Sequence, residues 1–500
     1  MVEPGSSDEL TARIHQKVRA TIEACKADRD DPAMRRFEGD IIRLIADLGA
    51  LFIALYLASM HERLDLSPWI ERGFRIKTKA SRRTIDTAFG TVRFARTYLH
   101  NPATGQALFP LDAVLGMPRN AASPWLIDKA CRLITRMSYN ATLMVFGSFA
   151  YACPSPKTLR GLTLGLGRIA PDYMDVCPLT ETDGDVLVIQ VDGKAPPFAS
   201  KGELDKRRGP RSGNKSDNCR CRRHKGRDRR SRHKRQRRSG HSKNGKSATV
   251  VTMYTLKRSA DGRLHGPINK KVWARFGPRE QICQWAREQA DRRGFGPDTD
   301  KTVQVLIDGE ACLERYLRDR FPNAIITLDI RHAEEYVWDL ARVYYPKNEQ
   351  QRGWFAEPLT DMLYQGQAPT LVKKLVDELD QVPKTGPGTK AKREALAKII
   401  GYFEARLSMM DYARWIESDL EIATGAIEGA VKHLIGERLD CSGMRWGDGA
   451  EAVMQLRCIE LNGDWDDFFE WVSGSWPEQI EENGFVNISY QFPQPINQAA

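Results

Sequence analysis

Two apolar runs that each end in Asp-Gly constrain the fold of this chain more than any other feature. They occupy residues 186–193 and 303–309, and both are rich in valine, isoleucine and leucine. Runs of this length and composition predict buried strands. The helical spacing between residues 278 and 293 predicts a crossover helix, which makes the two strands parallel neighbours. The sequence therefore predicts an α/β fold with Asp192 and Asp308 at the same end of adjacent strands.

Further strands extend this arrangement into a mixed sheet with flanking helices. Residues 248–255 and 272–276 predict two strands between the Asp-Gly runs, and residues 324–328 predict another that ends before Asp329. The first three strands form a meander, and the crossover then adds a strand beside the first one. Ligands of open α/β sheets lie at the carboxyl ends of strands, so we expect the functional site at that edge.

The α/β core is predicted in two parts, which are separated in sequence by helices. The first part covers residues 183–335. The second part covers residues 421–475, where Thr424 is expected to cap a helix that carries Glu428. Residues 336–420 have helical spacing and predict an all-α insertion. A helix that packs across the sheet can bring Glu428 beside the two aspartates.

Residues 1–180 predict an α-rich, DNA-binding region with a β-hairpin near 82–99. The exposed side of the hairpin is expected to carry four arginines: Arg82, Arg83, Arg93 and Arg96. Two short helices joined near Pro154 are consistent with a helix-turn-helix, in which Lys157 and Arg160 contact DNA. A packed helical bundle with a solvated basic face is the alternative.

The charge of the chain favours a polyanionic partner. The net charge is +11 and the isoelectric point is about 9.1. Nineteen lysines and arginines lie between Lys206 and Lys246, against two aspartates, and almost no apolar residue accompanies them. Such a segment cannot form a core. We therefore expect a disordered basic insertion, about 201–246, that binds nucleic acid without sequence preference. Its candidate contacts are Arg222, Arg229 and Arg230.

The same basic tract contains Cys219, Cys221 and His224, which could bind zinc, although the usual spacing of zinc-binding cysteines is absent. The other cysteines are scattered and predict no disulfide framework.

The longest apolar stretch, residues 48–60, is shorter than the roughly 20 residues that span a bilayer. The polar N-terminus does not resemble a signal peptide. We expect a cytoplasmic, nucleoid-associated protein with a flexible tail at 476–500.

Three carboxylates at one sheet edge would repel one another unless a divalent cation neutralised them. Hard oxygen ligands beside a nucleic-acid substrate favour Mg²⁺, with Mn²⁺ as an alternative. Asp192, Asp308 and Glu428 are the candidate ligands for two-metal-ion phosphoryl transfer. A single Asp-Gly after a strand is more often a turn, and Glu428 is one of many glutamates. The repeated Asp-Gly therefore supports the prediction more than any one residue does.

At these residues the sequence resembles the DDE transposases of bacterial insertion sequences, a Kra-type group in the Mutator-like branch of the RNase H-like superfamily. The resemblance covers about residues 80–475. It is carried by the segments VDGK (191–194), IDGE (307–310), LDIRH (328–332), TGAIEGAVK (424–432), GMRW (443–446) and RCIELNGDW (457–465). It implies an RNase H-like core with Asp192, Asp308 and Glu428 as catalytic residues. It also implies that the helices of 333–418 are the family's insertion.

The resemblance further implies a D-x-x-H feature at Asp329 and His332. His332 would approach the scissile phosphate and give it a hydrogen bond or a positive charge; a structural histidine is the alternative. Asp329 could instead be the second metal ligand. Arg445 could bind a phosphate and Trp446 could stack on an unpaired base. A core tryptophan beside a salt-bridged arginine is the alternative for that pair.

The function implied by the resemblance is cleavage at the ends of an insertion element, followed by joining of the 3′-hydroxyl to target DNA. Two element ends must be held together, so we expect a homodimer or a larger assembly on DNA. One alternative is a DNA-binding regulator, derived from a transposase, that no longer cuts. Another is an RNase H-like nuclease without strand transfer. A structural packaging role would leave the ordered carboxylates unexplained.

Overall fold

The computed structural model describes residues 1–26, 34–117, 121–179, 181–199, 246–441 and 444–482. The chain divides into two compact units. The first unit joins Met1–Tyr173 to Gly463–Ala500, and the second is the continuous segment Met174–Asn462. Both units combine helices with a sheet, so the predicted mixture of α and β structure is present.

The first unit is built mainly of helices around a three-stranded sheet. Its helices are α1 (Ser7–Lys26), α2 (Met34–Arg63), α3 (Ser67–Glu71), α4 (Pro110–Val114), α5 (Pro124–Arg136), α6 (Tyr139–Phe149), α7 (Pro156–Val176), which begins in this unit, and the C-terminal helix α17 (Trp465–Glu482). Its strands are β1 (Arg75–Thr87), β2 (Gly90–His100) and β3 (Ala107–Leu108), in that order and antiparallel.

The predicted hairpin is confirmed as β1 and β2, which turn at residues 88–89. The expectation that all four of its arginines are exposed is wrong. Arg83 and Arg96 are largely buried and both form ion pairs with Asp112 of α4. Burial lowers the pKa of Arg83 to about 10 and that of Arg96 to about 9. The alternation of the strand places these two side chains on the face that α4 covers, so they stabilise the fold and do not form an exposed basic surface.

Helix α2 is longer than the apolar stretch at 48–60 indicated. Among the described residues it is the one helix whose length and composition would allow it to cross a membrane. Arg43 and Asp47 interrupt the apolar run in sequence but not the helix. Its buried residues, among them Ala50, Leu51, Ala54 and Leu57, join a core cluster with α1 and β2. The most apolar 18-residue window of the helix is 28% buried, and length and composition alone are weak evidence for a membrane span.

The pair of helices expected after residue 140 is present as α6 and α7. Ser155 caps α7, because its hydroxyl accepts a 3.1 Å hydrogen bond from the backbone N–H of Thr158. Lys157 and Arg160 are exposed in the first turns, as predicted. The second helix is longer than the short helix expected there and continues to Val176, since Leu162, Leu166 and Ala170 extend a buried stripe with a spacing of four residues.

The second unit contains a five-stranded mixed sheet. Its strands are β4 (Val186–Lys194), β5 (Ala248–Arg258), β6 (Leu264–Phe276), β7 (Thr302–Ile307) and β8 (Ile325–Leu328), in the spatial order β6-β5-β4-β7-β8. The first three are antiparallel, whereas β7 is parallel to β4 and β8 is parallel to β7. The predicted meander and the predicted parallel strand beside its first member are therefore confirmed.

Nine α-helices, a 3₁₀-helix (Leu407–Met409) and a π-helix (Lys432–Gly436) complete the second unit within the described residues. The α-helices are α8 (Arg279–Arg292), α9 (Ala311–Arg320), α10 (Ile330–Tyr344), α11 (Glu349–Tyr364), α12 (Ala368–Gln381), α13 (Thr389–Glu404), α14 (Tyr412–Glu417), α15 (Gly425–Val431) and α16 (Gly449–Leu461). Between 330 and 417 the chain is helical, and α10 packs against both α11 and α13. We name α10–α14 the helical segment; it contains the predicted all-α region.

The structure places the C-terminal end of the α/β core earlier than the sequence predicted. Residues 463–475 were expected to belong to the α/β core, but they group with the first unit. The indole Nε1 of Trp465 donates a 2.7 Å hydrogen bond to Asp128, and Arg132 forms a 3.0 Å ion pair with Asp466. Both partners lie on α5. Helix α17 also continues to Glu482, into the segment expected to be a flexible tail; residues 483–500 lie outside the described residues.

Candidate functional site

Asp192 lies near the end of β4, and Asp308 directly follows β7, the parallel strand beside it. Gln190 of β4 pairs with Leu306 of β7, and each aspartate follows two residues later. Because strand side chains alternate between faces, both aspartates share the face that carries Val188 and Gln304. The structure therefore brings these two predicted residues together at one sheet edge.

The electrostatics of Asp192 agree with this proximity. Burial raises the pKa of its carboxyl group, and the negative charge of Asp308 raises it further. A hydrogen bond from the backbone N–H of Gly193, and the positive charges of Arg279 and His332, act in the opposite direction. Ionisation of this carboxyl group costs free energy because the group is buried and lies near a second carboxylate. A cation bound beside it would offset that cost.

Two buried glutamines attach the segment before Glu428 to the sheet. Gln190 accepts a 2.9 Å hydrogen bond from the backbone N–H of Ile427. Gln304 binds both backbone groups of Glu421: its Nε2 donates to the carbonyl at 2.6 Å, and its Oε1 accepts from the N–H at 3.0 Å. Both glutamines are almost fully buried. They therefore place residues 421–427 against β4 and β7.

Asp329 connects the same segment to the start of α10. Its side chain caps α10 by accepting a 3.0 Å hydrogen bond from the backbone N–H of Arg331, and it also accepts one from the hydroxyl of Thr424. Thr424 occupies the N-cap position of α15, but its side chain does not cap that helix as predicted, because its hydroxyl binds Asp329. Asp329 is 3% exposed, so these contacts favour a structural role over the alternative of a metal ligand.

Glu428 lies in the first turn of α15, which packs against β4 and β5. Its side chain is exposed. Within the described part of the chain, no three histidine, cysteine, aspartate or glutamate side chains lie close enough together to bind a metal ion. Asp192 and Asp308 fit a divalent cation in donor type and charge. In this arrangement Glu428 does not add a third ligand to them.

His332 lies in the first turn of α10, near the aspartate pair. A proton on its imidazole would lower the pKa of Asp192. Its imidazole Nδ1 is 3.5 Å from the carboxylate of the exposed Glu335. The ring packs edge-on against Tyr336, with 5.9 Å between the centroids. Since His332 is partly exposed, it can meet a ligand at the sheet edge.

The contacts of the Trp446 side chain within the protein account for its position without a bound ligand. Its indole Nε1 donates a 2.8 Å hydrogen bond to the carbonyl of Leu439, and the guanidinium of Arg438 lies 5.0 Å from the ring centroid. These contacts favour the alternative of a packed tryptophan over base stacking. The adjacent Arg445 is exposed, as a phosphate contact requires.

The sequence reasoning missed several residues beside the aspartates. Arg279, at the start of α8, forms an ion pair with Glu310, and its charge lowers the pKa of Asp192. Nothing in its sequence surroundings distinguishes it from other helical arginines. Gln190 and Gln304 did carry a detectable pattern, because each is an amide inside an apolar strand run.

The remaining predicted contacts lie outside the described residues. These are the proposed nucleic-acid contacts Arg222, Arg229 and Arg230, and the alternative zinc ligands Cys219, Cys221 and His224.

No protein-family model matches the chain, and no curated protein matches it. Among solved structures, it is similar to a chain of the Drosophila P element transposase strand transfer complex. The identity is 11% and the TM-score is 0.25, with 73% of this chain and 83% of that chain covered. This likeness is distant, so the interpretation of the site depends on its own geometry.

Proposed function

We propose that this protein is a DDE-type DNA transposase with an RNase H-like core, which the helical segment interrupts. One observation carries the proposal. Asp192 near the end of β4 and Asp308 directly after β7 lie beside each other at the ends of adjacent parallel strands, on the side of the sheet that also holds the chain leading to Glu428. A repulsive carboxylate pair at the carboxyl ends of parallel strands is what a metal-dependent phosphoryl-transfer site requires.

Each residue has a distinct proposed role. Asp192 and Asp308 would hold Mg²⁺ or Mn²⁺, and Glu428 would become a third ligand only if its side chain moved toward them from its exposed position on α15. Such ions would activate a water or a 3′-hydroxyl and stabilise the leaving oxygen. His332 would donate a hydrogen bond to the scissile phosphate. Lys157, Arg160, Arg445 and the basic tract would bind the DNA backbone of element ends and target.

Cleavage of DNA that carries the sequences flanking this gene tests the proposal. Purified full-length protein with Mg²⁺ should nick this DNA at the element ends and join the 3′-hydroxyl to a second duplex. Asp192→Asn and Asp308→Asn should each abolish both reactions while DNA binding persists. The exposed Asp319→Asn variant is the matched control. Cleavage that survives Asp192→Asn would overturn the assignment.

A second candidate function is a DNA-binding regulator that no longer cuts. The observation in its favour is that Asp192, Asp308 and Glu428 do not form a metal-binding group of three. A regulator would bind the element ends with the same affinity in Mg²⁺ and in EDTA and would leave them intact. A nuclease without strand transfer would cut but not join.

As a transposase, the protein would act in the cytoplasm, at the nucleoid, as a dimer or larger assembly.

A further inference from the structure

Two side chains of the helical segment bind the backbone of the second Asp-Gly. The hydroxyl of Tyr402 donates a 2.9 Å hydrogen bond to the carbonyl of Asp308. The guanidinium Nη2 of Arg406 donates a 2.7 Å hydrogen bond to the carbonyl of Gly309. These carbonyls are consecutive, and the two side chains lie one helical turn apart in sequence. We name Tyr402 and Arg406 the clamp.

The sheet itself does not hold this part of the backbone. The register of β7 with β8 ends at Ile307, which pairs with Leu328. Beyond that pair the chain turns away, and Gly309 has a φ of +85°. Backbone carbonyls in such a turn need other donors, and the clamp supplies two. The backbone position of Asp308 therefore depends on the helical segment as well as on the strand, while its carboxylate accepts a 2.9 Å hydrogen bond from the backbone N–H of Glu310.

Gly309 is required by the clamp as well as by its φ. A Cβ at this position would clash with the hydroxyl of Tyr402 and would lie 2.9 Å from Nε of Arg406. In the first Asp-Gly, the nearest atoms to a Cβ on Gly193 lie at 3.5 Å or more. The two motifs look alike in sequence, but only the second is closely covered by side chains.

The clamp is packed rigidly beside His332. The ring of Tyr402 stacks on that of Tyr336, with 4.0 Å between centroids and an angle of 11°. The guanidinium of Arg406 lies 4.3 Å from the Tyr402 centroid, and the His332 ring lies 6.4 Å from it. One tyrosine thus contacts the backbone of Asp308 and packs near His332.

We propose that Tyr402 and Arg406 are positioning residues, through which the helical segment fixes the Asp308 carboxylate for metal binding. The inference rests on the proposed function, since it assigns the clamp to the metal-binding aspartate. It gives the helical segment a role in the site that does not depend on contact with DNA. A misplacement of about 1 Å at such a site costs about a hundredfold in rate.

Tyr402→Phe in the full-length protein tests the clamp. Removing one hydroxyl should weaken Mn²⁺ binding, measured directly by calorimetric titration, about tenfold. The kcat of cleavage should fall tenfold or more, with the KM for DNA within twofold of wild type. Arg406→Lys should act in the same direction. The melting temperature should stay within a few degrees, because no apolar surface is lost.

The matched control is Tyr344→Phe. Tyr344 also lies in the helical segment, and its hydroxyl donates a 2.9 Å hydrogen bond to Glu378, away from the sheet. This variant should keep wild-type Mn²⁺ affinity and kcat. Equal losses of Mn²⁺ affinity and of kcat in Tyr402→Phe and Tyr344→Phe would indicate a general effect of losing a tyrosine hydroxyl in this segment. That result would overturn the clamp.

The two proposals fail in different ways. Wild-type protein that binds Mn²⁺ but does not cut element ends would overturn the proposed function, and the comparison of Mn²⁺ affinities would still decide the clamp. Equal Mn²⁺ affinity in Tyr402→Phe and wild type would overturn the clamp alone. Wild-type protein that binds no Mn²⁺ would overturn both.

Discussion

The backbone N–H of Ile427 donates a 2.9 Å hydrogen bond to the side-chain oxygen of Gln190, two residues before Asp192 on β4. This contact joins segments 237 residues apart in sequence. It fixes the helix of Glu428 to the strand of Asp192 and leaves Glu428 on the exposed side of that helix. The distance between these two carboxylates therefore depends on this buried amide, together with the contacts of Gln304 and Asp329 to the same segment.

Gln190→Leu should destabilise the second unit by about 1–3 kcal/mol. Leucine has a similar size but cannot accept a hydrogen bond, so the N–H of Ile427 would be buried without a partner. Urea unfolding measures the loss, and faster hydrogen exchange at the Ile427 amide locates it. Gln284 on α8 is exposed, so Gln284→Leu should change stability by less than about 0.5 kcal/mol. Equal stability of the two variants would contradict the role of Gln190.

Asp112→Ala should destabilise the first unit by about 3 kcal/mol, because it leaves the guanidinium groups of Arg83 and Arg96 without their shared carboxylate. The side chain of Arg83 is 8% exposed and that of Arg96 is 14% exposed. Hydrogen exchange of the β1 and β2 amides should accelerate accordingly. The ion pair of Arg93 with Glu3 is more exposed, so Glu3→Ala should cost less than about 1 kcal/mol. If Asp112→Ala also cost less than about 1 kcal/mol, the ion pairs of Asp112 with Arg83 and Arg96 would not stabilise the fold as we expect.

Asp192→Asn should raise the melting temperature of the metal-free protein by a few degrees. Burial and the charge of Asp308 raise the pKa of the Asp192 carboxyl group, so its ionised form destabilises the fold. Below the ordinary carboxyl pKa the group is protonated in both the folded and the unfolded protein, and the advantage of asparagine is small. As the pH rises from there through the raised pKa of the folded protein, the wild type loses stability relative to the variant.

Melting curves in EDTA over a pH series that starts near the ordinary carboxyl pKa of about 4 and ends at about pH 8 check this direction, with Asp319→Asn as the exposed control. The difference between Asp192→Asn and wild type should be larger at pH 8. A difference that shrinks as the pH rises would mean that the folded protein favours the ionised carboxylate.

Much of the sheet could be predicted from the sequence because its signals are local. The β-rich runs of β4 and β7 and the helical spacing of α8 fixed strand order, direction and the meeting of Asp192 with Asp308. Periodicity also predicted the hairpin of β1 and β2, but not which arginines it buries. That depends on Asp112, which follows the hairpin and comes from another element.

The rest of the site depends on contacts between distant segments, which periodicity does not encode. Tyr402 and Arg406 follow Asp308 by about a hundred residues, and their spacing is typical of any helix. Gln190 and Gln304 were detectable as amides within apolar runs, but their partners were not. For Trp446 the sequence left base stacking and a packed tryptophan as alternatives, and a backbone carbonyl and Arg438 account for its polar and π contacts.

The basic tract should control the salt dependence of DNA binding and not its sequence preference. If Arg222, Arg229 and Arg230 each neutralise one phosphate, replacing all three with alanine should reduce the slope of log affinity against log salt by about 2.7. Replacing the same residues with lysine retains the charge and should leave the slope near the wild-type value. Fluorescence anisotropy with element-end and random duplexes over a salt series measures both slopes. Both duplexes should lose affinity equally, since phosphate contacts carry no base information. A loss confined to element ends would assign these arginines to base recognition instead.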